Sequence, residues 1–298
     1  MKFNNDIKEK SKKYRTGYGD SVKQKNYRIY KILAFGLIIF FLFSPLGASI
    51  RSYAIMFPYS HLHHRESVLY KNNIKLTIPG GIKTRKPDWY PLVITFNDSE
   101  GLSKYLGEKV EFTILYNFGH FPLLKGASTY YNPDSPYYSS FYGGYIIKSE
   151  DKNRKFGFFD TGEINLDELA KVPQYDQTQL VLPTLGCPLD QRVFEEKISD
   201  IEYNVEYVGY DDWVRVDSDI KTNSPVHESK GFQQGYLQFG KPMGNLDYSE
   251  DFPIIDLKGR VYVRYFEEFQ ATIVLYIMAP SWETVNECDR DILSMTQI

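Results

Sequence analysis

Two cysteines, Cys187 and Cys288, are the most reactive side chains in this 298-residue chain, and their chemistry has three possible outcomes. A disulfide between them would close a loop of about a hundred residues, contributing roughly 4–5 kcal/mol by the chain-entropy argument. Cys187 could instead act as a thiolate nucleophile, which excludes the bridge. Both could also stay as unpaired, buried thiols. The bridge is the expectation if the segment holding them lies on the oxidising side of a membrane.

Other clusters offer less. His61, His63 and His64 stand close enough to share a zinc or copper ion, but no further ligands announce themselves. The reading is a polar juxtamembrane segment, with no metal and no cofactor. Asp211, Asp212, Asp217 and Asp219 bracket Trp213 without the glycine and glutamate of a calcium loop, so they read as a solvated strand end. The sequon Asn97-Asp98-Ser99 matches at chance level. Residues 128–145 (STYYNPDSPYYSSFYGGY) hold seven aromatics, among them Tyr130, Tyr131, Tyr137, Tyr138, Tyr142 and Tyr145. Tyrosines on turns can stack on sugars or peptide groups while their hydroxyls hydrogen-bond. That suits cell-wall glycan or another surface protein as partner. The alternative is that most of these rings pack into the core.

The run over residues 180–192 (LVLPTLGCPLDQR) has a strand-like start leading into Thr-Leu-x-Cys, with Arg192 after it and His120 upstream. In this it is similar to the sortase transpeptidases, N-terminally anchored β-barrel enzymes of the bacterial surface. The resemblance implies Cys187 as the nucleophile, His120 as proton donor and Arg192 as oxyanion stabiliser. The chain departs from the pattern at Gly186, where a threonine is expected, and at Pro188. A Cys/His transpeptidase or peptidase is therefore the alternative to a binding or structural module.

The elements that would position these residues begin with a charge asymmetry. The net charge is -3, yet residues 1–31 hold ten Lys or Arg against three acids, a net of +7. The remainder holds 25 basic and 35 acidic residues, a net of -10, which argues against nucleic acid as a partner. Residues 32–50 (ILAFGLIIFFLFSPLGASI) run without a charge. As a helix they would span about 28 Å, near the thickness of a bilayer core. The basic flank places the N-terminus in the cytoplasm by the positive-inside rule. A cleaved signal peptide would have a leader of about thirty residues and no small-residue cleavage site, so an uncleaved anchor is expected. Tyr30, Tyr53, Phe57 and Tyr59 would sit at the two interfaces.

The predicted organisation is thus a basic cytoplasmic tail (1–31), a transmembrane helix (32–50), a connector (51–66) and an extracytoplasmic β-rich domain (67–298). The lipid bilayer is the expected partner, in the cell membrane. Aromatics at 16% suit pleated, half-buried surfaces. Strands are predicted over 74–78, 92–96, 110–118, 142–148, 155–159, 180–182, 200–208, 213–216, 235–239, 260–266 and 271–279. In 200–208, Ile201, Tyr203, Val205 and Tyr207 would share one face. Short helices are expected after Ser99, after Asn165 and, along a Trp282, Val285, Cys288, Ile292, Met295 stripe, after Ser281. The fold class is α+β, mainly antiparallel, packed as a sandwich or partly closed barrel with a C-terminal helix.

Overall fold

The computed structural model describes residues 26–40, 45–85, 89–90, 92–118, 134–184, 187–224 and 252–298. Residues 26–40 are helical, and a second helix, α1 (Pro45–Glu66), leads into the short α2 (Val68–Lys71), capped by the Ser67 hydroxyl. Among the described residues, no helix is long and apolar enough to cross a membrane. Residues 41–44, in the middle of the expected span, lie outside them.

Among the described residues seven antiparallel strands follow: β1 (Ile94–Asn97), β2 (Val110–Phe118), β3 (Phe141–Ser149), β4 (Phe194–Tyr207), β5 (Tyr210–Asn223), β6 (Ile254–Phe266) and β7 (Ala271–Ala279). They form one sheet in the order β1-β2-β3-β7-β6-β5-β4. The meander β4 to β7 therefore joins the meander β1 to β3 through its last strand. The predicted 260–266/271–279 hairpin is present, from Lys258↔Ala279 to Phe266↔Ala271.

The sheet is open, which corrects the expectation of a sandwich or barrel. The reason is visible in β7. Its nine residues are all buried, so it has apolar side chains on both faces rather than on one. Helices cover those two faces. On the first, Phe112, Tyr145, Val263, Val274 and Tyr276 pack under α3 (Ser99–Leu106) and α4 (Leu166–Tyr175), with Leu182 and Cys187. On the second, Tyr142, Trp213, Tyr262, Leu275 and Ile277 pack under Val68, Leu76, Trp89 and α5 (Trp282–Asp291). Gly143 lets β2 and β3 approach: a Cβ there would sit 1.9 Å from the Leu115 carbonyl oxygen.

The caps are local and strong. Asp98, one residue before the expected Ser99, accepts from Gly101 N–H, and Gly107 ends α3 at φ +77°. Asn165 accepts from Glu168 N–H, and Ser281 from Thr284 N–H. Two predicted strands are overturned. Residues 155–159 form a turn with a single bridge, Phe158 to Ile164, and residues 180–182 are helical. Helix α4 runs on into a π-helical turn (Asp176–Val181) and then Leu182–Thr184. Pro173 and Pro183 each withdraw an N–H donor, and the chain between them winds wider. A three-residue apolar run has no period of its own, so the capped helix decides its conformation.

Residues 74–78 alternate as expected, Ile74, Leu76 and Ile78 buried, but among the described residues they make one bridge, Thr77 to Gln297. Residues 235–239 lie outside the described residues. The predicted shared face in β4 fails as well. Bulges at Ile198/Asp200 and Glu202/Val205, with Asn204 at φ +56°, put Ile201 toward the first face and Val205 and Tyr207 toward the second. Tyr203 is exposed.

Candidate functional site

The structure does not assemble the thiol chemistry considered for Cys187. Both cysteines are free and buried, each 1% exposed. Cys187 belongs to the core on the first face and Cys288 to the core on the second, so the sheet lies between them and the expected bridge is not formed. Burial pushes the Cys187 thiol up to about 11, with Arg192 opposing, so almost no thiolate exists near neutral pH. The Arg192 guanidinium is occupied by backbone, donating to the carbonyls of Cys187 (3.0 Å) and Thr178 (2.9 Å). The strand that should have led into Cys187 is a helix. His120 lies outside the described residues. We expect a maleimide reagent to leave both thiols of the native chain unmodified and to label both after denaturation. Rapid native labelling at Cys187, read by mass spectrometry, would contradict this burial.

The aromatic cluster packs inward where it is described. Tyr142 is fully buried, its hydroxyl donating to Pro79 O at 2.8 Å. Tyr145 is buried on the other face. Tyr138 is buried and hydrogen-bonded to Ser224, and Tyr137 lies tilted against Trp89, ring centroids 4.9 Å apart. These four rings form cores rather than a binding surface. Tyr130 and Tyr131 lie outside the described residues. The histidines sit on α1. His63 packs between the rings of Tyr59 (4.2 Å) and Phe96 (5.6 Å), and its burial lowers its pKa. Among the described residues, no group of three His, Cys, Asp or Glu side chains could hold a metal ion.

A different site emerges on the first face, where α4 lifts away from the β4–β7 half of the sheet. Two adjoining narrow cavities, of about 40 Å³ each, share Tyr145, Pro173, Glu196 and Val261. Together they make a groove with apolar walls: Leu166 and Leu169 from α4, Ile198 from β4, Val216 from β5 and Val274 from β7. Glu196 enters it from β4 because Phe194, Glu196 and Ile198 alternate onto this face. Its carboxylate accepts from Ser218 Oγ at 2.8 Å. Burial raises its pKa and that hydrogen bond opposes the rise.

Beneath the groove lies a second acid. Asp176 opens the π-helical turn and accepts the Tyr145 hydroxyl at 2.7 Å. Tyr145 in turn stacks on Tyr276, ring centroids 4.5 Å apart. Burial pushes the Asp176 carboxyl up to about 7, with Tyr145 opposing. Among the described residues, neither Asp176 nor Glu196 has a salt-bridge partner. An apolar groove with a few convergent polar groups and perturbed acids is the usual form of a ligand site. A signal for Glu196 did exist, since alternation over 194–198 puts it between Phe194 and Ile198. None existed for Asp176, which stands in a polar run.

Comparison of the chain with protein-family models, curated proteins and solved structures finds no match.

Proposed function

We propose that this chain is a single-pass membrane protein, its N-terminal tail in the cytoplasm and its sheet domain outside, acting as a binding module at the cell surface. The helix over residues 26–40 carries the reading. Every one of its side chains is exposed, including Ile32 (71%), Phe35 (65%) and Leu37 (67%). Its last nine residues, 32–40, carry no polar side chain, and such a stretch of helix is stable only where its surroundings are apolar too. Burying each such side chain is worth about 1.5–3 kcal/mol, a gain that water does not provide. The +7 tail before it supports the orientation. Lys31 sits over the Tyr27 ring at 4.6 Å, a pairing suited to the headgroup level. The apolar groove supports the binding reading.

Alkaline carbonate extraction tests the anchor. The full chain should stay with the membrane pellet, and a chain lacking residues 1–50 should move to the supernatant. Release of the full chain by carbonate would overturn the proposal.

A further inference from the structure

We propose that the outer edge of β4 takes up an extended, lysine-bearing peptide segment of a partner protein as an eighth strand, its ammonium group meeting Glu196. This rests on the reading of the domain as a binding module and names its partner. An open sheet has two edges. The β1 edge is occupied, since Thr95 N–H donates to Ser60 Oγ of α1 at 3.1 Å and the Asn97 side-chain amide donates to His63 O. Strand β4 pairs only with β5 among the described residues, leaving a row of backbone donors and acceptors facing outward. That is the template used by proteins that bind peptides by strand addition.

The usable part of the edge is defined by register. From Phe194↔Thr222 to Ile198↔Ser218 the pairing is unbroken, and the bulges begin directly after it. Within these five residues Phe194, Glu196 and Ile198 face the groove. A residue of an added strand directly opposite Glu196 would have its Cβ about 4.5–5.5 Å away on the same face. A lysine there lays its aliphatic stem along the apolar groove wall and brings its ammonium to a carboxylate. The only hydrogen bond to the Glu196 carboxylate among the described residues comes from a serine hydroxyl. A half-buried acid in apolar surroundings gains most from such a cation.

Charge selects the same partner. Strand β4 carries Glu195, Glu196, Asp200, Glu202 and Glu206 against Lys197. Asp200 and Glu202 share the single Arg215, and Glu195 stands opposite Lys221, whereas Glu196 faces Ile220, so Glu196 is the acid of the regular segment with no cation opposite it. Two copies of this acidic edge would repel one another, so a basic segment is favoured over self-pairing.

The test uses the full chain in lipid nanodiscs and three labelled pentapeptides, acetyl-Thr-Val-X-Val-Thr-amide, with X as lysine, norleucine or glutamate. Fluorescence anisotropy should show the lysine peptide binding at least tenfold tighter than the norleucine peptide, with the glutamate peptide weakest. Glu196→Gln should bring the lysine peptide to within twofold of norleucine. Equal affinity for lysine and norleucine in the native chain would overturn the proposal without any protein variant. So would edge-to-edge dimers that exclude the peptides. Methyl NMR with 1-pentanol reports the groove itself, through shifts at Val261 and Val274. If no peptide binds and those shifts remain, the proposal falls and the binding-module reading stands. If neither is seen, both fall.

Discussion

Asp176→Asn should make the protein more stable at pH 8.5 and leave it nearly unchanged at pH 4. The carboxyl of Asp176 is buried and its only described hydrogen bond comes from the Tyr145 hydroxyl, so the folded chain holds its proton up to about pH 7. The unfolded chain releases that proton near pH 4. Between those values the folded state binds more protons, and stability falls as pH rises through 7. It is fully present only below the unfolded value. A shift of about three units corresponds to on the order of 4 kcal/mol, which asparagine removes while still accepting the Tyr145 hydrogen bond. Urea denaturation of both chains at pH 4, 6 and 8.5 measures the difference. Parallel stability curves would show that Asp176 is ionised in the fold, with a partner that compensates its burial.

The second large effect lies on the opposite face. Arg260 makes a bidentate contact with Asp217 (2.7 and 2.8 Å) and reaches Asp289 of α5 at 3.0 Å. Asp289 also accepts the hydroxyls of Tyr207 (2.6 Å) and Tyr262 (2.7 Å), whose rings stack 3.7 Å apart. The three charged side chains are only 10–12% exposed. Among the described residues Arg260 is the one cation that touches both acids, and Arg260→Met leaves Asp289 buried without a cation and Asp217 with only Arg215 at 3.8 Å. The expected loss is about 3–5 kcal/mol, a large share of a typical domain stability of roughly 5–15 kcal/mol. Adding Asp217→Asn and Asp289→Asn to Arg260→Met should restore part of it, because the isolated charges then disappear. A loss below about 1 kcal/mol in the single variant would mean that water reaches this cluster and screens it.

What the sequence made legible was what local chemistry decides. Asn165 and Ser281 cap helices because their oxygens meet an orphan N–H three residues on, and the β6–β7 hairpin follows from two apolar runs around a polar break. The architecture depended on a distinction that period alone does not make. The unbroken run in β7 is compatible with one face of a sandwich or with the middle of a two-sided sheet, and only the helices on both faces decide. The residues 180–182 were misread as strand because three apolar residues have no period, and the cap that governs them stands fifteen residues earlier at Asn165. In β4, a one-residue bulge reverses the face of every side chain beyond it, which alternation cannot anticipate.

The site was legible only in fragments. Types and spacing singled out Cys187, Arg192 and the tyrosines, yet packing uses them: Cys187 fills the first core, Arg192 ties down carbonyls, and Tyr142 and Tyr145 anchor opposite faces. Glu196 shows only through the short alternation of Phe194 and Ile198 around it, and Asp176, in a polar run, looks solvated until its neighbours are known. Their environment comes from residues distant in sequence, Ser218 for one and Tyr145 for the other.

The central claim is an anchored chain with its sheet outside, and limited proteolysis of intact spheroplasts tests it most directly. Added protease should digest the sheet domain and leave a short, protected fragment containing the basic tail and the apolar segment over residues 32–50. Protection of the entire chain until the membrane is opened with detergent would contradict the claim.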